Sequence, residues 1–450
     1  MRQSILNRDP KIKSKAAQRA AFCIGQEIAA TGSPWSRLGL GWRQSAWQKI
    51  SADFTPPYRN RMPVRHACTF RLHLGCMIYK NIQILRFIAA FLVVLHHTLP
   101  PNVHPAHYAN IPAWITEISV YGFAGVDIFF VISGFIMAET TRPMQPGAGS
   151  ASSFVFRRFL RIYSGYWPAF LLVLFLSIWL GIFNGPEISR WKSFLLLPQE
   201  FYLLNVSWTL TYELYFYLLI GAMLCFTRKG AVPVFLGLLV SFVVIVAVQF
   251  NLGVYRSATP RENNFLFNIF LTSPLIIEFI AGFLLSEWIH RKPRQSIAAW
   301  SLFTVIALCA SIWAQKYGGL QGVGMAAFLY YPERVMLFGS ASVGLVALAA
   351  LLPSSGSLLS RFFCRLGDAS YALYLLHIPL LVILYGLLFP KIPGLLWIGG
   401  GKLSLLVYLV SVVACSLLYF KFIENPLHKI SRKASDRLLL GAASSRTCAV

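Results

Sequence analysis

About ten stretches of this chain stay apolar for close to the ~20 residues that a helix needs to cross a bilayer. They lie near 82–99, 118–138, 164–184, 208–227, 231–250, 266–288, 297–315, 335–353, 369–389 and 402–422. In hydrocarbon every backbone N–H and C=O must find its partner inside the protein, which leaves helical bundles and closed barrels. Runs this long are helical. The expected fold class is therefore all-α, a polytopic membrane helix bundle of about ten transmembrane helices. Composition agrees: 12% of residues are charged and mean hydropathy is +0.61, whereas soluble chains average about 25% charged. The third and ninth stretches are interrupted by polar or proline residues.

Charge sets the expected orientation. With the N-terminus in the cytoplasm, the inner loops hold 11 Lys and Arg and the outer loops 8, Arg334 among the outer ones. A basic tail at 429–450 adds Lys429, Arg432, Lys433 and Arg437 to the inside. Both termini are expected to be cytoplasmic under the positive-inside rule. The net charge of +24 reads as this topology signal, with some attraction to anionic lipid, and not as a nucleic-acid footprint.

Residues 1–76 form a basic segment with 13 Lys and Arg against 3 Asp and Glu and no sustained apolar period. Such a segment is expected to be a disordered extension, or untranslated, because Met77 is a plausible start. No cleaved signal peptide is expected in it. The transmembrane domain is expected over 77–428. The eight cysteines show no C-x-x-C or His/Cys ligand spacing, so neither a metal site nor a disulfide framework is indicated.

The chemistry resides in ionisable residues within or beside the spans. Arg86 and His97 lie in IQILRFIAAFLVVLHHTL. Eleven residues of helix rise about 16 Å and rotate by about 20° net, so the pair shares one stripe. Intramembrane ionisable residues usually line a polar interior, and His serves as a general base; an arginine snorkelling at the surface has the same spacing. His96 is rotated by about 100° from His97 and faces elsewhere. Asp127 sits among glycines in YGFAGVDIFFVISGF, which suggests close packing around a polar centre. Glu213 follows Trp208 in SWTLTYELYFY, and Tyr217 stands one turn further on the same face. Arg157, Arg158 and Arg161 in RRFLRIYSGYW suit phosphate groups, or plain topology anchoring. Ser370, Tyr374 and His377 follow i, i+4, i+7 spacing along one face, as substrate ligands or as hydrogen-bond glue between helices. Glu278 and Glu424 are weaker signals.

In this order, these segments resemble the membrane-bound acyltransferase 3 family, and within it the exopolysaccharide-production subgroup. The carriers of the resemblance are R-x10-H at Arg86–His97, GVDIFFVISGF with Asp127, RRFLRIYSGYW, SWTLTYE with Glu213, GDASYALYLLH ending in His377, and Glu424-x-Pro426. Ser164 stands where the family commonly has Pro. The resemblance implies an O-acyltransferase of the bacterial cytoplasmic (inner) membrane. It would move an acyl group, in the first place acetyl, from acyl-CoA to a sugar, polysaccharide or lipid-linked saccharide. Acyl-CoA is then a substrate, and no tightly bound cofactor or metal is expected.

On that basis His97 is the expected base, with Asp127 or Glu213 orienting it, and Arg86 stabilises an oxyanion or holds phosphate. Arg157, Arg158 and Arg161 are expected to bind the donor. Trp208, Tyr217, Ser370, Tyr374 and His377 are expected to contact substrate. A polytopic transporter, or a non-catalytic subunit of a polysaccharide-export complex, uses similar residue types. A transporter would show internal repeats and paired broken helices, which are not evident here.

None of these residues precedes Met77. A chain beginning there is expected to insert and to acylate as well per molecule as the full-length chain. Loss of activity at a normal membrane level would extend the catalytic unit into the basic segment.

Overall fold

A computed structural model describes residues 64–99, 111–181, 188–252, 270–317, 332–392 and 401–435, with side chains from Lys80 onward. Residues 1–63 of the basic extension and 436–450 of the tail lie outside the described residues. The chain divides into two units, Met1–Cys68 and Thr69–Val450, and the bundle belongs to the second.

The described residues are helical, without strands. The main elements are α1 (Val64–Thr98), α2 (Ala113–Val120), α3 (Ala124–Thr141), α4 (Ala148–Leu180), α5 (Trp208–Phe226) and α6 (Ala231–Asn251). They continue with α7 (Leu275–Arg291), α8 (Ile297–Tyr317), α9 (Ser340–Leu351), α10 (Leu358–Asp368), α11 (Ser370–Leu381) and α12 (Lys402–Tyr419). Nine helical runs among the described residues are long and apolar enough to span. The remaining expected span, the sixth at 266–288, corresponds to α7, whose 17 residues rise about 26 Å and are largely buried inside the bundle.

Three boundaries differ from expectation. The second span does not begin at 118: α2 ends at Val120 and α3 starts at Ala124, after a turn. The third begins well before 164, because α4 runs for 33 residues from Ala148 and carries the three arginines within it. It also continues through Pro168. Ser164, lacking a proline's constraint, turns its hydroxyl back onto the Arg161 carbonyl at 3.0 Å. The last helical run extends to Ser435, past the expected end of the span at 422. In the ninth span, Pro379 lies inside α11, and a π-helical segment follows at Val382–Leu388.

The core is organised by α3 and α7, which pack extensively on each other. Small residues let these helices touch backbone to backbone. A Cβ on Gly134 would lie 2.0 Å from the Phe279 carbonyl oxygen, and one on Gly282 would lie 2.0 Å from that of Val131. Helices in lipid associate through such close packing. Around the crossing, Phe130 and Phe279 pack with rings tilted at 4.5 Å, while Phe216 and Phe279 stack at 4.7 Å and Phe235 and Phe283 at 4.1 Å between centroids. The turn and first residues of α3 approach α1 equally closely: a Cβ on Gly125 would lie 2.2 Å from the Ala89 carbonyl oxygen. By contrast, α6 and α8 present mostly exposed apolar side chains, as lipid-facing helices do.

Gly134→Ala is expected to lower the thermal stability of the protein in detergent, because its new methyl meets fixed backbone. Gly237→Ala, which meets nothing within 4 Å, is expected to leave stability unchanged or slightly raised. Equal melting of both variants would show that the α3–α7 crossing tolerates being forced apart.

Candidate active site

Arg86 and Gln83 face inward on α1, where the Arg86 guanidinium donates to Gln83 Oε1 at 3.1 Å. They line a cavity of about 220 Å³ between α1, α3, α4, α5 and α11. From α4 come Arg158 and Arg161; from α5 comes Glu213; from the π-helical segment Phe420–Glu424 comes Glu424. A π-bulge re-aims the side chains that follow it, and here the last residue of the bulge is turned into the cavity. Three guanidinium groups against two carboxylates give the lining an excess of positive charge, suited to an anion.

Several of these groups are held by neighbours. Arg158 donates to Thr140 Oγ1 at 2.9 Å. Glu213 accepts from Ser133 Oγ at 3.3 Å and from the Tyr217 hydroxyl. Arg157, next to Arg158 on α4, is exposed and outside the lining. Asp368, at the end of α10, lies within the field of Arg86; partial burial lifts its carboxyl above the ordinary value, against the pull of that arginine.

Beyond the cavity lies a histidine pair. His377 is fully buried, and its Nε2 is 3.3 Å from His97 Nδ1. His97 Nδ1 is also 2.9 Å from the Val93 carbonyl oxygen, one turn back on α1. A carbonyl only accepts, so this contact puts the proton on Nδ1 and leaves the lone pair on Nε2. Tyr374 links the pair to the cavity: it lines the cavity, and its ring centroid is 5.8 Å from that of His377. Its hydroxyl is 3.0 Å from Thr209 Oγ1 and donates to the Val206 carbonyl at 3.0 Å. His96 faces elsewhere, with Nδ1 2.9 Å from the Ser119 carbonyl oxygen.

Asp127 is not beside His97. Its Oδ2 accepts from the Arg334 guanidinium at 2.8 Å, with the two side chains 0% and 3% exposed. The Arg334 guanidinium also lies over the Phe123 ring, 5.1 Å from its centroid. The Glu278 carboxyl interacts with Asp127 and Arg334. Arg334, expected in an outer loop, instead precedes the π-helical segment Val335–Gly339 inside the bundle. Glu213 is likewise engaged with Ser133 and Tyr217 and not with the imidazole.

The cavity thus unites Arg86, Arg158, Arg161, Glu213, Tyr217 and Tyr374. Trp208 packs edge-on to Phe130 and Tyr212, outside the lining. Ser370 is buried at the start of α11, and its neighbour Tyr371 lines the cavity in its place. Ser133, Thr209 and Tyr371 are lining residues that the pattern of ionisable groups did not single out. Tyr371 was detectable as the residue one step round from Ser370.

The acyltransferase 3 family model, described as an acyltransferase domain, matches residues 79–421. The exopolysaccharide production protein ExoZ of Rhizobium meliloti is 28% identical over 271 residues, covering 57% of this chain and 75% of that protein. Acyltransferase MdmB of Streptomyces mycarofaciens is 26% identical over 378 residues, covering 77% of this chain and 90% of its own. Nodulation protein 10 of Rhizobium leguminosarum bv. viciae is 26% identical over 394 residues, covering 80% and 96% respectively. No solved structure matches the chain.

Removing one partner of a buried ion pair leaves the other charge uncompensated, at a cost of about 3–5 kcal/mol. Arg334→Gln is therefore expected to destabilise the bundle strongly. Adding Asp127→Asn to that variant is expected to recover much of the loss. Thermal unfolding of the two variants in detergent reads this directly, and an Arg334→Gln protein as stable as the parent would remove the pair from the core's supports.

Proposed function

The chain belongs to the acyltransferase 3 family, and on that footing we propose that it moves an acetyl group from acetyl-CoA to a hydroxyl of an exopolysaccharide or other cell-surface sugar at the bacterial inner membrane. The observation that carries this reading is a cavity with excess positive charge that ends beneath a paired histidine. CoA is rich in phosphate, and guanidinium groups bind phosphate in forked pairs. The name of ExoZ associates one relative with exopolysaccharide, which supports the acceptor class.

In this reading Arg158 and Arg161 hold the donor's phosphates, and Arg86 helps. About 16 Å of helix separates Arg86 from His97, too far for both to act on one carbonyl. Arg86 therefore belongs with donor binding and not with the oxyanion. The same interval leaves room for the arm that joins phosphates to thioester. His97 Nε2, bearing the lone pair, takes the proton of the acceptor hydroxyl as its oxygen attacks the thioester carbonyl. A C–O bond forms, the C–S bond breaks, and the imidazolium returns its proton to the CoA thiolate. His377 steadies the protonated edge of His97. Tyr374 stands at the boundary between donor and base.

A positioned general base contributes about 10²–10⁴-fold in rate. His97→Ala is expected to remove an acetyl-sized mass from surface polysaccharide in cells making equal amounts of each protein, while His96→Ala retains it. Full acetylation by His97→Ala would remove this ring as the base. An acetyl-free polysaccharide in cells with the unaltered protein would overturn the acceptor class.

A further inference from the structure

The cavity changes character along its length. At the level of Arg158 and Arg161 its walls are charged. At the opposite end they are Val126, Phe129, Phe130, Leu210, Thr209 and Tyr374. Phe129 and Thr140, the latter bonded to Arg158, stand eleven residues apart on α3, about 16 Å of rise. Two rings line the apolar end side by side. Phe129 and Tyr374 meet edge to face with centroids 5.9 Å apart. Tyr374 is tethered through its hydroxyl to Thr209 and to the Val206 carbonyl, both at 3.0 Å. His377 lies beside it, 5.8 Å between centroids, and meets His97 in turn. Phe130 cannot yield easily, because its ring packs against Phe279 at 4.5 Å between centroids in the α3–α7 crossing.

We propose that Phe129 and Tyr374 close an acyl pocket and thereby restrict the enzyme to short acyl groups. The inference rests on the acyl-CoA reading given above. A donor held by its phosphates at the arginine end enters with its acyl tail foremost. An acetyl tail ends one bond beyond the carbonyl, so the reacting carbon sits against the rings and directly beneath the histidine pair. Each added methylene must lie between carbonyl and rings, and it lowers the carbonyl away from His97. Crowding the rings apart instead is costly, since one side is tethered and the other is backed by packed core. The added methylenes still leave water for an apolar wall, so binding is retained while reaction geometry is lost. Chain length should therefore act on kcat far more than on KM. Phe129 is a specificity-determining residue here, and Tyr374 owes its fixed position to Thr209.

The test uses the full-length protein in lipid nanodiscs, supplied with polysaccharide from cells that lack the protein. CoA thiol release is followed with acetyl-, butyryl- and hexanoyl-CoA. The unaltered protein is expected to lose at least about tenfold in kcat from acetyl- to butyryl-CoA, since a single methylene in a tight pocket is worth about 10–200-fold. Phe129→Ala is expected to recover at least about tenfold on butyryl-CoA relative to acetyl-CoA, with donor KM changed little. Phe129→Leu, which keeps an apolar side chain at the position, should show a smaller shift in the same direction. Comparable kcat on all three donors by the unaltered protein overturns the inference without needing any variant. So does an unchanged length profile in the two Phe129 variants, and in both cases acyl-CoA stands as the donor. Thiol release from none of the three, by protein that acetylates polysaccharide in cells, overturns the donor reading itself and this inference with it.

Discussion

The backbone-to-backbone crossing of α3 and α7 is the contact on which the remaining geometry depends. Gly134 and Gly282 each face a carbonyl of the other helix, so neither helix can shift without separating the pair. That closeness brings Asp127 and Glu278 into one buried cluster with Arg334. It also packs Phe279 against Phe130 and so fixes the apolar end of the cavity. A loss of packing there would reach the ion cluster on one side and the candidate donor pocket on the other. This is how a crossing without chemical groups of its own can govern a site made of charged ones.

Charge is sorted along α1 in a way that hydrocarbon demands. Arg86 is half-buried and opens into the cavity, among carboxylates and other guanidinium groups. His97, three turns on, meets a backbone carbonyl and the rings of His96 and His377. A full charge is affordable where polar groups surround it, and a titratable neutral ring is the better tenant of the apolar level above. The R-x10-H spacing therefore encodes two environments on one stripe, one polar and one apolar.

Much of this architecture was legible in the sequence, because span length and apolarity are local properties. The glycine-flanked Asp127 did mark close packing around a polar centre. Its partner could not be read, because Arg334 lies 207 residues away and looked like one more loop arginine. Burial of Arg334 depends on the π-bulge that follows it, a tertiary feature without a sequence period. The phase of α11 was nearly right: Tyr374 and His377 do face the interior, but Tyr371 and not Ser370 reaches the cavity. Glu424 looked like a helix-end residue for the same reason as Arg334, since a π-helical turn and not an ideal helix decides where it points.

Glu424 also bears on how such a cavity can hold several guanidinium groups together. Arg86 and Arg161 lie within each other's field, and Glu424 lies within the field of both. One of its oxygens is buried without a hydrogen-bond donor. A carboxylate in that position offsets mutual repulsion between the guanidinium groups without a tight ion pair to either of them. An anion of higher charge, with more oxygens than a carboxylate, can then bind them without first breaking a tight ion pair. The contrast with Asp127 is instructive. There the guanidinium is bound at 2.8 Å and sealed from solvent, an arrangement that fixes helices in place. Loose compensation in one cluster and tight pairing in the other separate the candidate ligand site from the ion pair that holds helices in place.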